Sequence, residues 1–161
     1  MIAVDTNLLV YAHRGDSEWS DAARRCLVQL AESPSPWAIP WPCLHEFVGI
    51  VTHPRVFRPP STLDEVVEQV EAWSASPSFH WLSEGAHHWP ALRSVLAASR
   101  VVGPKVHDAR MAALCAQHGV DELWSADRDF GRFAGLRVRN PLVDLPGEVH
   151  EQRARYRRRA R

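Results

Sequence analysis

Four acids in this chain occupy positions from which carboxylates could cooperate. Asp5 directly follows the short apolar run Met1–Val4, and Asp127 follows the run Glu122–Ser125 in the same way. Glu46 lies in an otherwise apolar helical stretch, roughly opposite the stripe of Leu44, Phe47, Val48 and Val51 at about 100° per residue, and so faces away from the main core. Asp108 shares a stripe with Met111, Ala112 and Cys115, which aims it inward. Carboxylates converging on one cleft repel one another and raise each other's pKa unless a cation sits among them. Oxygen-only ligands of this kind favour Mg²⁺ or Mn²⁺ over zinc. Such a metal can lower the pKa of a bound water, orient a phosphodiester and stabilise the leaving 3′-oxygen, which is hydrolysis without a protein nucleophile. Taken singly, each acid also has a structural reading: Asp5 as a helix N-cap, Asp108 as a dipole-favoured first-turn residue, Glu46 as a solvated helix residue, Asp127 and Asp129 as turn formers.

What would bring them together is the order of the elements. Met1–Val4 reads as a strand that turns at Asp5-Thr6-Asn7, with Thr6 and Asn7 as caps, into a helix carrying Leu8, Leu9, Tyr11 and Ala12. An amphipathic helix from Ser17 to Glu32 is ended by Pro34 and Pro36, and Trp37–Pro40 is a short strand. A helix with Pro42 in its first turn then runs to about Thr52, before His53-Pro54. Thr62 to Trp73 is a helix opened by the capping box Thr62-x-x-Glu65, and Phe79–Leu82 is a strand. Helices from His88 to Ser99 and from Lys105 to His118, the latter ended by Gly119, precede the strand Glu122–Ser125, a turn or short helix over Asp127–Phe133, and a last strand at Leu136–Val138. Short strands alternating with long helices predict an α/β/α sandwich with a central, mostly parallel sheet of four or five short strands. In such a sheet every strand's carboxyl end lies on one edge, where Asp5 and Asp127 are expected to meet.

Composition adds limits. The chain has 161 residues, 45% of them hydrophobic and 24% charged, the balance of an ordinary globular domain. Its net charge of zero conceals two unlike parts. Residues 151–161 hold six arginines and one acid, which leaves 13 basic against 18 acidic groups in residues 1–150, a net of −5. Neutrality therefore does not exclude a nucleic-acid partner, and deleting residues 151–161 is expected to weaken nucleic-acid binding and flatten its salt dependence. The three cysteines, Cys26, Cys43 and Cys115, lack CxxC spacing and suggest neither a disulfide framework nor a zinc site. No basic leader and no apolar window of about 20 residues is present, so a cytoplasmic protein without a membrane partner is expected.

The segments IAVDTNLLVYA, LHEFVGIVTHP, KVHDARMAALCAQHGV and ELWSADRDFGRFAGLRVRNPL, in that order, resemble PIN-domain proteins, specifically the VapC-type ribonuclease toxins of bacterial toxin–antitoxin pairs. The likeness covers residues 1–142 as a PIN-like nuclease domain and leaves 143–161 as a C-terminal extension with the arginine-rich tail, which is not part of the family pattern. It implies a Mg²⁺- or Mn²⁺-dependent endoribonuclease whose acidic cluster is Asp5, Glu46, Asp108 and Asp127. It also implies a homodimer inhibited by a small antitoxin protein. Ser125 stands where the family often has threonine and keeps the hydroxyl; Asn7 belongs to the DTN triplet and would orient Asp5; Asp129 is the second acid of the D-x-D-F turn. Arg110, Arg128 and Arg132 lie near the expected cleft and could bind RNA phosphates, or serve only in surface ion pairs. The same cluster would also serve a metal-dependent phosphatase or a DNA-directed nuclease with a housekeeping role, and a catalytically silent binding module is the third alternative. Most of the seven tryptophans are expected in the core or at interfaces, with some available to stack on bases.

Overall fold

The computed structural model describes residues 1–143; the arginine tail and its expected effects lie outside the described residues. Five strands form one parallel sheet in these residues: β1 (Ile2–Val4), β2 (Trp37–Pro40), β3 (Phe79–Leu82), β4 (Glu122–Trp124) and β5 (Val138–Arg139), in the spatial order β3-β2-β1-β4-β5. Every pairing is parallel, with Ile2 opposite Trp37 on one side and Glu122 on the other. The sandwich expected from the alternating pattern is thus present, with five strands. β1 is the central strand, and Ala3, Val4 and the whole of β2 are buried, as a strand covered on both faces must be.

The crossovers are helical: α1 (Thr6–His13) and α2 (Ser20–Glu32) join β1 to β2, α3 (Trp41–Val51) and α4 (Leu63–Ser74) join β2 to β3, and α5 (His88–Ser99) and α6 (Val106–Gln117) join β3 to β4. The chain moves outward from β1 to β3, then returns to the far side of β1 for β4 and β5. Right-handed crossovers therefore place α1 to α4 on one face of the sheet and α5 with α6 on the other. Phe47 of α3, which is fully buried, packs edge-on against His13 and beside Trp73, locking α1, α3 and α4 into one layer. Trp37, Trp73 and Trp124 are core residues, whereas Trp41 and Trp89 are exposed.

Local chemistry accounts for the element ends. The capping box at the start of α4 is complete, with Thr62 and Glu65 each bonding the other's backbone N–H. Gly119, just past the end of α6, has φ +62°, a left-handed conformation that glycine adopts without a Cβ penalty. Two boundaries differ from expectation by more than one residue. Helix α2 begins at Ser20 instead of Ser17, because the Ser17 hydroxyl accepts from Trp19 N–H in a local turn. The last strand begins at Val138 because Leu136 N–H is already taken by Phe133 carbonyl, in a turn that Gly135 completes at φ +87°.

Candidate active site

The strand order reverses between β1 and β4, so the loops leaving those two strands diverge and open a crevice at the carboxyl edge of the sheet. A cavity of about 830 Å³ occupies that crevice. Asp5, Glu46, Asp108 and Asp127 all line it, although they come from the end of β1, the second turn of α3, the first turn of α6 and the loop after β4. Asn7, Lys105 and Arg110 line it as well. Ser125 is buried beneath it, and Asp129, Arg128 and Arg132 stand outside its lining.

Asp5 is both a helix cap and a cavity residue. Its Oδ1 accepts from Thr6 N–H at 2.8 Å, which makes Asp5 the N-cap of α1, as its structural reading in the sequence has it, and leaves Thr6 and Asn7 inside the helix's first turn. The extended backbone at Asp5 is what turns strand into helix, and the helix dipole favours an anion there. Its Oδ2 accepts from Ser125 Oγ at 2.6 Å and from the Asn7 carboxamide. Asn7 also donates to Ser125 Oγ at 3.1 Å and accepts from Ala126 N–H at 3.0 Å, and Ser125 Oγ accepts from Asp127 N–H at 2.9 Å. The ends of β1 and β4 are thereby knitted into one polar network around a single carboxylate. Burial pushes the Asp5 carboxyl above the ordinary aspartate value; the Ser125 and Thr6 bonds pull it back, and nearby Glu46 pushes it up again.

The other acids are held differently. Glu46 Oε2 accepts from Thr6 Oγ1 at 2.6 Å, a link between α3 and the first turn of α1 that spacing alone does not disclose. Asp127 Oδ1 accepts from Asp129 N–H at 2.8 Å, so the turn-forming role of Asp127 coexists with its place in the cavity wall. Asp108 Oδ2 is buried and accepts no well-formed hydrogen bond; the Lys105 ammonium is its ion-pair partner at 3.1 Å. Lys105 also bonds Asp129, whose carboxyl is held below its ordinary value by that ammonium. Arg110 is bound to Glu84, and Arg132 pairs with Asp129 at 3.6 Å; Arg128 is exposed.

Thr6 and Lys105 were missed as site residues. Thr6 was read only as a cap, yet its hydroxyl faces across to Glu46. Lys105 carried a usable signal, its three-residue spacing before Asp108 at a helix start.

Among the described residues, no three His, Cys, Asp or Glu side chains are gathered closely enough to form a ready metal site. The four acids surround a common cavity, but each is engaged by a protein group. The donor chemistry nonetheless suits a hard divalent cation: carboxylate oxygens only, one of them buried among like charges and another, Asp108 Oδ2, lacking a hydrogen-bond donor.

A PIN-domain family model matches residues 2–136. The chain is also 37% identical to Ribonuclease VapC43 of Mycobacterium tuberculosis over 150 residues, spanning 93% of this chain and 99% of that protein. This chain is a VapC-type member of the PIN-domain family. Ribonuclease VapC48 of the same organism is 31% identical over 138 residues, 86% of this chain and 95% of that protein. Among solved structures, the VapBC2 complex of Rickettsia felis bound to a promoter DNA fragment gives a TM-score of 0.61 at 17% identity, covering 86% of this chain and 98% of the matched one. Mycobacterium tuberculosis VapC20, described as a sarcin-ricin loop cleaving toxin, gives 0.59 at 15% identity, covering 84% and 96%. Likeness at these identities speaks for the PIN fold, which the sheet order and crossovers above express residue by residue.

Proposed function

We propose that this PIN-domain protein is the toxin ribonuclease of a toxin–antitoxin pair, hydrolysing RNA phosphodiester bonds with Mg²⁺ or Mn²⁺ held by Asp5, Glu46, Asp108 and Asp127. The observation that carries the reading is that four acids separated by as many as 122 residues line one cavity at the switch point of a parallel sheet. The naming of VapC43 and VapC48 as ribonucleases supports RNA as the substrate.

A bound divalent ion would supply the acidity that makes water nucleophilic near pH 7 and the charge that stabilises a leaving oxygen. Asn7 and Ser125 fix the Asp5 carboxylate by donating to the same oxygen, which leaves its orientation defined before any ligand arrives. Thr6 does the same for Glu46. Arg110, on the cavity wall and anchored by Glu84, offers charge to a phosphate of the RNA strand. Water adds to phosphorus as the P–O3′ bond breaks, and the 3′-oxygen takes up a proton, leaving 5′-phosphate and 3′-hydroxyl ends.

The solved VapBC2 complex of Rickettsia felis supports a small antitoxin as partner for this chain. A homodimer and a cytoplasmic site of action complete the proposal; among the described residues no helix is long and apolar enough to cross a membrane.

The test is incubation of the purified protein with total cellular RNA, with Mg²⁺, with Mn²⁺ and with a chelator, beside an Asp5→Asn variant. Cleavage that needs the metal and is lost in the variant is the expected result. Cleavage that persists undiminished in Asp5→Asn would overturn the site. Absence of cleavage of any RNA, with metal bound, would favour a silent binding module.

A further inference from the structure

Lys105 is the only lysine among 19 basic residues, and it stands at the acidic cavity. It closes the 3₁₀ turn Gly103–Lys105, immediately ahead of α6, so its backbone is fixed relative to Asp108 one turn on. Its ammonium lies between two carboxylates of unlike position. Asp108 Oδ2, 3.1 Å away, belongs to the cavity; Asp129, also bonded to it, stands outside the cavity lining. Asp108 Oδ2 is buried and depends on this ammonium alone for its compensation.

We propose that Lys105 is a built-in cation that holds Asp108 while no divalent ion is present, gives it up to the incoming ion by falling back on Asp129, and then serves a phosphate of the bound RNA. The inference rests on the metal-dependent reading above and adds an ordered exchange to it. A lysine suits the task where an arginine would not. Its compact, strongly hydrated charge rides on a flexible four-carbon stem and binds no carboxylate in a fixed fork, so it can be released without breaking a bidentate pair. Asp129 gives the displaced ammonium a partner, which keeps the exchange from stranding a charge. One of the four acids is thus already engaged by the protein's own ammonium.

The test is calorimetric titration of Mn²⁺ into the full-length protein without RNA, beside Lys105→Met, Asp129→Asn and the double variant. Lys105→Met keeps the stem and removes the competing charge, and should bind Mn²⁺ roughly two- to fivefold tighter, the scale of a partly exposed ion pair. Asp129→Asn should bind it a few-fold more weakly, and the double variant should match Lys105→Met alone. The lone lysine also allows a direct view. With lysine-selective isotope labelling, its side-chain NMR signal should move as Mg²⁺ is added and move again with a non-cleavable 2′-O-methyl RNA oligonucleotide. That oligonucleotide should bind the metal-loaded Lys105→Met protein more weakly than wild type. Equal or weaker Mn²⁺ binding by Lys105→Met, with wild type binding the ion at a site that Asp5→Asn abolishes, overturns the Lys105 role and leaves the metal site standing. Failure of wild type to bind Mn²⁺ overturns both.

Discussion

The Ser125 hydroxyl donates to Asp5 Oδ2 at 2.6 Å across 120 residues of sequence, joining the carboxyl ends of two neighbouring strands at the place where the sheet order reverses. Asp5 is buried, so this bond compensates a charge that has little water to turn to. Replacing Ser125 by alanine should therefore lower stability by about 1–3 kcal/mol, the range for leaving a buried polar group short of a partner. Ser125→Thr, which keeps the hydroxyl, should recover most of the loss. Urea unfolding of the two variants beside wild type measures both effects, and equal midpoints for alanine and wild type would refute the compensation.

Thr6 Oγ1 is to Glu46 what Ser125 is to Asp5, but at a more exposed carboxylate. Thr6→Val preserves shape and removes the donor, leaving Glu46 free to sample other rotamers. The expected outcome is a fall in RNA-cleavage kcat/KM of roughly tenfold, from the loss of one hydrogen bond to a charged group, with a nearly unchanged urea midpoint. A variant with full activity would mean that Glu46 needs no orientation from α1.

His13 gives the fold a pH signature away from the site. Burial against the ring of Phe47 lowers its pKa below the ordinary 6.5, although a bond to Gln69 works the other way. The unfolded chain then binds a proton that the fold resists, so stability rises with pH through the window just below 6.5 and is flat above it. Unfolding midpoints between about pH 5 and about pH 8 should show that slope. His13→Gln should flatten it; an unchanged slope would assign the titration elsewhere.

Metal loading should be visible without any RNA. Mn²⁺ at about a hundredfold above its Kd stabilises a protein with one such site by ~2.7 kcal/mol, a Tm rise of roughly 6–10 °C for a chain of this size. Burial makes Asp5 hold its proton to a higher pH than an ordinary aspartate, and the proton competes with the ion. The Mn²⁺-induced rise should therefore grow as pH increases through the acid range, and it should vanish in Asp5→Asn. A rise that survives in that variant would place the ion somewhere else.

Much of this was legible because strand ends are legible. Asp5 and Asp127 could be assigned to one edge once the alternation of short apolar runs and longer helices implied parallel strands, and Glu46 stood out against its helix's apolar stripe. What spacing could not supply were the bonds that depend on how elements pack. The Thr6–Glu46 contact exists because the first turn of α1 lies against α3, and neither sequence segment carries any mark of that. Expected convergence of the acids also needed refinement: they share a cavity, but among the described residues no three of them form a close group, and each is engaged by the protein, Asp108 by Lys105 and the other three by hydrogen bonds. The shifted start of α2 and of the last strand arose from single side-chain or turn hydrogen bonds, which periodicity averages away.

The reversal of strand order between β1 and β4 has a bearing on when the protein becomes able to act. Ser125, which orients Asp5, and Asp127, which completes the cavity wall, are synthesised 120 and 122 residues after it. A growing polypeptide that has completed β1, β2 and β3 owns half a crevice with one wall missing. The site is thus completed only once β4 has been made, and a chain cut short before β4 holds Asp5, Glu46 and Asp108 but lacks the Ser125 hydroxyl and the Asp127 wall.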